Sequence, residues 1–298
     1  MEQHGLLAAK LTRRRVAALG GAVMLAGMLG PRVGFAQGAD DAAMGYPAMT
    51  VTIDEKQLTV RPQVPAGLTF VTVKNTMAKD GEHMIWGRLP DGVTREAVFA
   101  AATAAATPTN ATPSGLDPIT ELFSRMTIVG GPDWAPPGGG QAQGIVKFTE
   151  GTYLLANVFG EQVAFFDVVA PGPDAKTEEP KADFTVKLGN MVFVGLDQGV
   201  PAGKHLWKVE NIDTMIHELA ILSVEPETTE KDVLDQLEKN SDAPFVPVAG
   251  NSILSGGHTA WQLFDLKPGH YVALCAAPMN WSGPPHAFMG MIKVFEAV

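Results

Sequence analysis

The chain of 298 residues contains a single cysteine, Cys275, so no internal disulfide can staple it. Its fold has to rest on packed cores, for which a 46% apolar composition supplies ample material. Basic side chains are also scarce, 22 lysines and arginines against 32 aspartates and glutamates. A surface of that sign repels phosphate backbones and anionic membranes, which argues against nucleic acid and leaves a basic protein as the expected partner. Beyond the N-terminus no apolar run is long enough to span a bilayer. Several signatures of chemistry are missing: GxSxG, HExxH, a P-loop, and GxGxxG between strand and helix. Structural zinc usually wants more Cys or His than this chain offers, and the acidic residues show no calcium-loop spacing.

The N-terminus reads as an export signal over residues 1–36. Arg13, Arg14 and Arg15 precede a short apolar run, Val16–Gly30, and Gly34 and Ala36 stand at the −3 and −1 positions of a small-residue cleavage site. Thr12–Val16 fits a twin-arginine signal, with a general secretory signal as the alternative. Either route predicts a periplasmic or otherwise exported protein. Removal of the signal leaves 17 basic and 31 acidic side chains, a net charge near −14. A lone thiol in an oxidising compartment has two expected fates: Cys275 is a small buried hydrophobe, or it is a thiolate held by a metal.

Internal repetition organises the rest. "VPAGLTFVTVKN" (Val64–Asn75) matches "VPAGKHLWKVEN" (Val200–Asn211), and each copy then reaches a histidine in an apolar strand, His83 and His217. "TREAVFAA" and "TEKDVLDQL" follow, each opening like a helix at Thr94 and Thr229. "EGTYLLANV" parallels "PGHYVALCA", and each half closes on an alternating strand. The pattern predicts a flexible N-terminus at 37–47, one unit at 48–171, a Pro- and charge-rich linker at 172–181, and a second unit at 182–298. Short alternating runs bounded by Gly, Pro and Asn predict strands, and several per unit predict two tandem, mostly β sandwiches, each interrupted by a helix. The first unit carries an extra alanine-rich insert whose start extends the helix and whose Thr/Pro-rich end is a loop.

"YVALCAAPMNWSGPPHAFMGM" (Tyr271–Met291) gathers the cysteine, a histidine and two methionines near the end of the second unit. With the upstream His217 this order resembles the cupredoxin, or blue copper, family. The resemblance implies Greek-key sandwiches and one copper ion cycling between Cu(I) and Cu(II), with an electron carrier expected rather than an enzyme. It makes His217, Cys275 and His286 the trigonal ligands and Met291 the weak axial one. Met289 remains the alternative axial ligand, His258 in "SGGHTAW" an alternative metal contact, and Asn211 corresponds to an asparagine that ties the ligand loops together. A metal-free binding module and a copper carrier are the alternative readings. Ten residues separate Cys275 from His286, where the family has only a few. That lengthening costs roughly 1 kcal/mol of closure entropy, against metal binding on the order of 10 kcal/mol. In the first unit Asn157 stands at the cysteine position, so that copy cannot make the same site.

Overall fold

The computed structural model describes residues 44–78, 82–105, 114–158, 162–173, 175–239 and 246–298. The signal at 1–36, most of the segment 37–47 and most of the Thr/Pro-rich end of the insert lie outside the described residues.

Alternation builds the strands. The first, Ala48–Ile53, buries Met49, Val51 and Ile53 and turns Ala48 and Thr50 outward, the period-two pattern of a half-buried sheet. The first unit opens with β1 (Ala48–Ile53), β2 (Leu58–Thr59), β3 (Gln63–Pro65), β4 (Gly67–Asn75) and β5 (Met84–Arg88). Helices α1 (Arg95–Ala105) and α2 (Pro118–Ser124) follow, then β6 (Thr127–Ile128) and β7 (Pro132–Asp133). β8 (Gly140–Phe148), β9 (Gly151–Asn157) and β10 (Gln162–Val169) close the unit. The second unit runs through β11 (Phe184–Gly189), β12 (Val192–Val194), β13 (Gly203–Asn211) and β14 (His217–Ser223). Helix α3 (Glu230–Glu238) and strands β15 (Val246–Leu254), β16 (Thr259–Leu266), β17 (Gly269–Leu274) and β18 (Ile292–Ala297) complete it.

Helices α1 and α3 begin where the threonines predict. Thr229 caps α3 in a reciprocal capping box with Asp232, and the Ala97 N–H donates to Thr94 Oγ1. The repeat is equally plain in the pairing. β1 runs parallel to β4 as β11 does to β13. β9 pairs antiparallel with β5 and β10 as β17 does with β14 and β18. The protein is mostly β, two tandem Greek-key sandwiches each with a helical insertion.

The units do not hang apart on their linker. One sheet runs β12-β11-β13-β16-β8-β4-β1-β2, crossing from the second unit to the first through β16 and β8. That seam pairs Trp261 with Ile145, Gln262 with Gly144 and Leu263 with Gln143. Each of these strands would otherwise expose an unpaired edge, and pairing removes both edges at once. A second joint lies in the other layer, where β7 leaves the first unit's sheet and pairs with β15, Asp133 opposite Gly250 and Pro132 opposite Asn251. The largest apolar cluster follows the seam, from Ile85 and Ile128 to Ile253 and Leu254, and takes in Cys275 and Met291.

Gly144 is a tight point of the seam. A Cβ there would collide with the Trp261 carbonyl oxygen and the Gln262 side chain. Gly144→Ala is therefore expected to cost about 1–3 kcal/mol through overpacking. Denaturant unfolding measures it, and an unchanged midpoint would mean that β8 and β16 do not pair in solution.

Candidate metal centre

The turn between β13 and β14 is fixed by one amide. Asn211 Oδ1 accepts from the Asp213 N–H at 3.0 Å, and its Nδ2 donates to the Met215 and Leu254 carbonyls at 2.8 and 2.7 Å. Leu254 is the residue opposite His217 on β15, so Asn211 ties the turn to the strand beside the histidine. Asp213, four residues before His217, then places a carboxylate oxygen 3.2 Å from His217 Nε2. That contact occupies one ring nitrogen and turns the other, Nδ1, inward.

The segment after β17 folds as a closed stem. The Cys275 N–H donates to the Met291 carbonyl at 3.1 Å, and the Ala287 N–H to the Cys275 carbonyl at 2.9 Å. The His286 N–H donates to the Ala277 carbonyl at 2.9 Å, and Pro278 bridges Pro285. The extra residues, Met279–Pro284, form a tip beyond this stem, with the Met279 N–H bonded to the Pro284 carbonyl at 3.0 Å. Asn280 and Trp281 take positive φ there, 48° and 66°. Asn tolerates this region and Trp does not favour it. The long spacing thus lengthens the tip and leaves the stem unchanged, so Cys275 and His286 meet despite ten intervening residues.

Three donors converge. His286 Nδ1 lies 3.1 Å from His217 Nδ1 and 3.5 Å from Cys275 Sγ, and Sγ lies 3.9 Å from His217 Nδ1. A trigonal metal with nitrogen ligands near 2.0–2.1 Å and sulfur near 2.3 Å holds such atoms roughly 3.5–3.8 Å apart. The observed spacings bracket that range. All three side chains are buried. The thiol sulfur also accepts the Glu218 N–H at 3.2 Å, a bond that favours thiolate.

Electrostatics keep the cluster neutral without a cation. Burial pushes the Cys275 thiol far up, and the buried Glu218 carboxyl adds to it. Burial lowers His217, with Asp213 opposing, and burial together with His217 brings His286 down to about 4. Asp213 stays ionised: burial would raise it, but the Asn190, Thr214 and Met215 N–H groups and His217 hold it well below the carboxylate range. A soft cation fits two neutral imidazoles and a thiol that yields its proton on binding.

The other expected residues fall into place around this core. Met291 is fully buried in the same apolar cluster as Cys275, whereas Met289 is 53% exposed. His258 is not among the clustered donors: its Nδ1 faces the Gly256 carbonyl at 3.0 Å, and its own carbonyl accepts the Asn211 N–H. In the first unit Asn75 repeats the role of Asn211, bonding the Met77 N–H and the Ala135 carbonyl. His83 there meets Asp133 at 2.7 Å, and Asn157 bonds Gln162 where the thiol would stand. Sequence reading passed over Asp213. Its signal was the spacing Asn-x-Asp before the histidine, which the first unit lacks.

No protein-family model and no curated protein matches the chain. Among solved structures it is similar to the dithionite-reduced auracyanin of Roseiflexus castenholzii, at 19% identity, over 39% of this chain and 95% of that one, TM-score 0.29. It is also similar to the copper nitrite reductase of Nitrosomonas europaea, at 12% identity, over 84% and 93%, TM-score 0.23. The multi-copper oxidase of Pediococcus acidilactici shares 11% identity over 85% of this chain and 59% of that one, TM-score 0.24. At these scores the superpositions are loose, and the metal chemistry of this chain is carried by its own side chains.

Asp213→Ala frees His217 Nε2 and is expected to weaken metal binding at this centre about 10–100-fold. Competition against a chelator measures it. An unchanged affinity would mean that the carboxylate does not orient the ring.

Proposed function

We propose that this cupredoxin-like protein is an exported one-electron carrier, holding one copper ion through His217, Cys275 and His286 with Met291 as the axial ligand. The observation that carries the reading is the convergence of two Nδ1 atoms and one thiol sulfur within 3.1–3.9 Å, all buried. Copper bound there would supply reversible one-electron chemistry between Cu(I) and Cu(II). Everything else is done by the chain. Asp213 holds His217 in one orientation, the Glu218 N–H steadies the sulfur, and the stem under His286 fixes the second ring. Donors fixed in this way have little room to rearrange between oxidation states, which suits electron transfer. Their burial leaves no open position for a substrate, which favours a carrier over an enzyme. Burial of Met291 and exposure of Met289 favour the former as axial ligand. The acidic composition suits docking to a basic redox partner.

Copper titration of the purified protein beside Cys275→Ser, followed by visible absorption and metal content, tests the reading. We expect one equivalent with an intense thiolate band, lost in the variant, and release of close to one proton per ion at pH 7, since the imidazoles are already neutral. A band that survives Cys275→Ser would place the copper away from Cys275 and overturn the reading, and no copper uptake would leave a metal-free sandwich module.

A further inference from the structure

A second buried group of donors stands one residue along β14. His83, Asp133 and Glu218 each offer a ligating atom, these atoms lie within 4.8 Å of one another, and all three residues are buried. Asp133 is firmly placed: its Oδ1 accepts from the Met84 and Trp134 N–H groups at 2.8 and 3.1 Å, and its Oδ2 meets His83 Nδ1. Glu218 is fully buried, and neither of its carboxylate oxygens has a partner in ordinary hydrogen-bond geometry, the Ala276 N–H lying outside it. Glu82 is buried beside them and accepts from the Ala135 N–H. Three carboxyl groups thus share one imidazole, and among the described residues no lysine or arginine forms an ion pair with any of them. Such a group of buried acids is costly unless a cation or protons compensate it.

We propose that His83, Asp133 and Glu218, with Glu82 beside them, form a second metal site that takes a divalent cation of the Zn²⁺ class and clamps the two units together. One imidazole and carboxylate oxygens are ordinary zinc donors, and the absence of sulfur separates this set from the copper-suited one. The carboxylates supply the negative charge a dication needs. The position fits a clamp: His83 and Glu82 precede β5 of the first unit, Glu218 lies on β14 of the second, and Asp133 lies on β7, the strand that pairs across the seam. Asp133 and Trp134 also line a groove shared with Gln141, Gln143 and Gln262, which brings that groove up to the cluster. In the first unit His83 stands where His217 stands in the second, and its neighbours are acids.

Zinc content and calorimetric titration with Zn²⁺ of metal-stripped wild type, Cys275→Ser and His83→Gln test the proposal, with circular dichroism to check folding. We expect two equivalents in the wild type and one in each variant, with Zn²⁺ raising the melting temperature of Cys275→Ser. Zinc uptake that vanishes in Cys275→Ser, a folded His83→Gln that keeps both equivalents, or no uptake by the wild type would overturn it. Should His83→Gln fail to fold, the wild type against Cys275→Ser decides alone. If the Cys275 cluster takes no metal, wild type and Cys275→Ser both bind one equivalent and His83→Gln none. That result keeps this proposal and leaves the copper reading to its own titration.

Discussion

Glu218 stands where the ladder between β14 and β15 is irregular, and both donor clusters meet at it. The pairing with β15 steps from His217 opposite Leu254 to Leu219 opposite Asn251, which leaves Glu218 outside the ladder. The extra residue lies on β15, where Ser252 and Ile253 face the single Glu218. The Glu218 N–H turns to the sulfur of Cys275, the residue after β17, and its carboxyl meets His83 and Asp133. The ladder with β17 stops at Ala220 opposite Leu274, which leaves that N–H to the sulfur. Glu218 therefore couples the thiol to the seam between the units through a single residue.

The second constraint is the stem that closes the C-terminal loop. Backbone bonds from Cys275, His286, Ala287 and Met291 fix these residues without help from a metal. What the donors lack is charge, because burial keeps thiol and imidazoles neutral. Preorganised geometry with a displaceable thiol proton favours a soft cation and resists adventitious protonation of His286 until low pH. The same rigidity suits an electron carrier better than a carrier that must release its ion.

The parts legible in the sequence were those with local or repeated signals. The duplicated "VPAG" strand and its histidine located His217, and the crowding of Cys, His and Met into one stretch located the rest of the cluster. Asn211 was legible from the resemblance, six residues before His217, on a strand whose repeat ends likewise in Asn75. Asp213 was not, since an aspartate in a turn reads as an ordinary solvated residue. Neither was the second cluster. His83, Asp133 and Glu218 are far apart in the chain and meet only because β7 crosses to β15, and alternation within a strand says nothing about which edges pair. The fused sheet was not legible for the same reason, and the ten residues between Cys275 and His286 still let the donors meet because the surplus lies beyond the stem.

X-ray absorption at the copper edge of protein loaded with one equivalent tests the central claim most directly. The account predicts one sulfur and two imidazole nitrogens as near neighbours of copper, with the sulfur lost in Cys275→Ser. A shell of nitrogen and oxygen alone would contradict it and would place the ion away from Cys275.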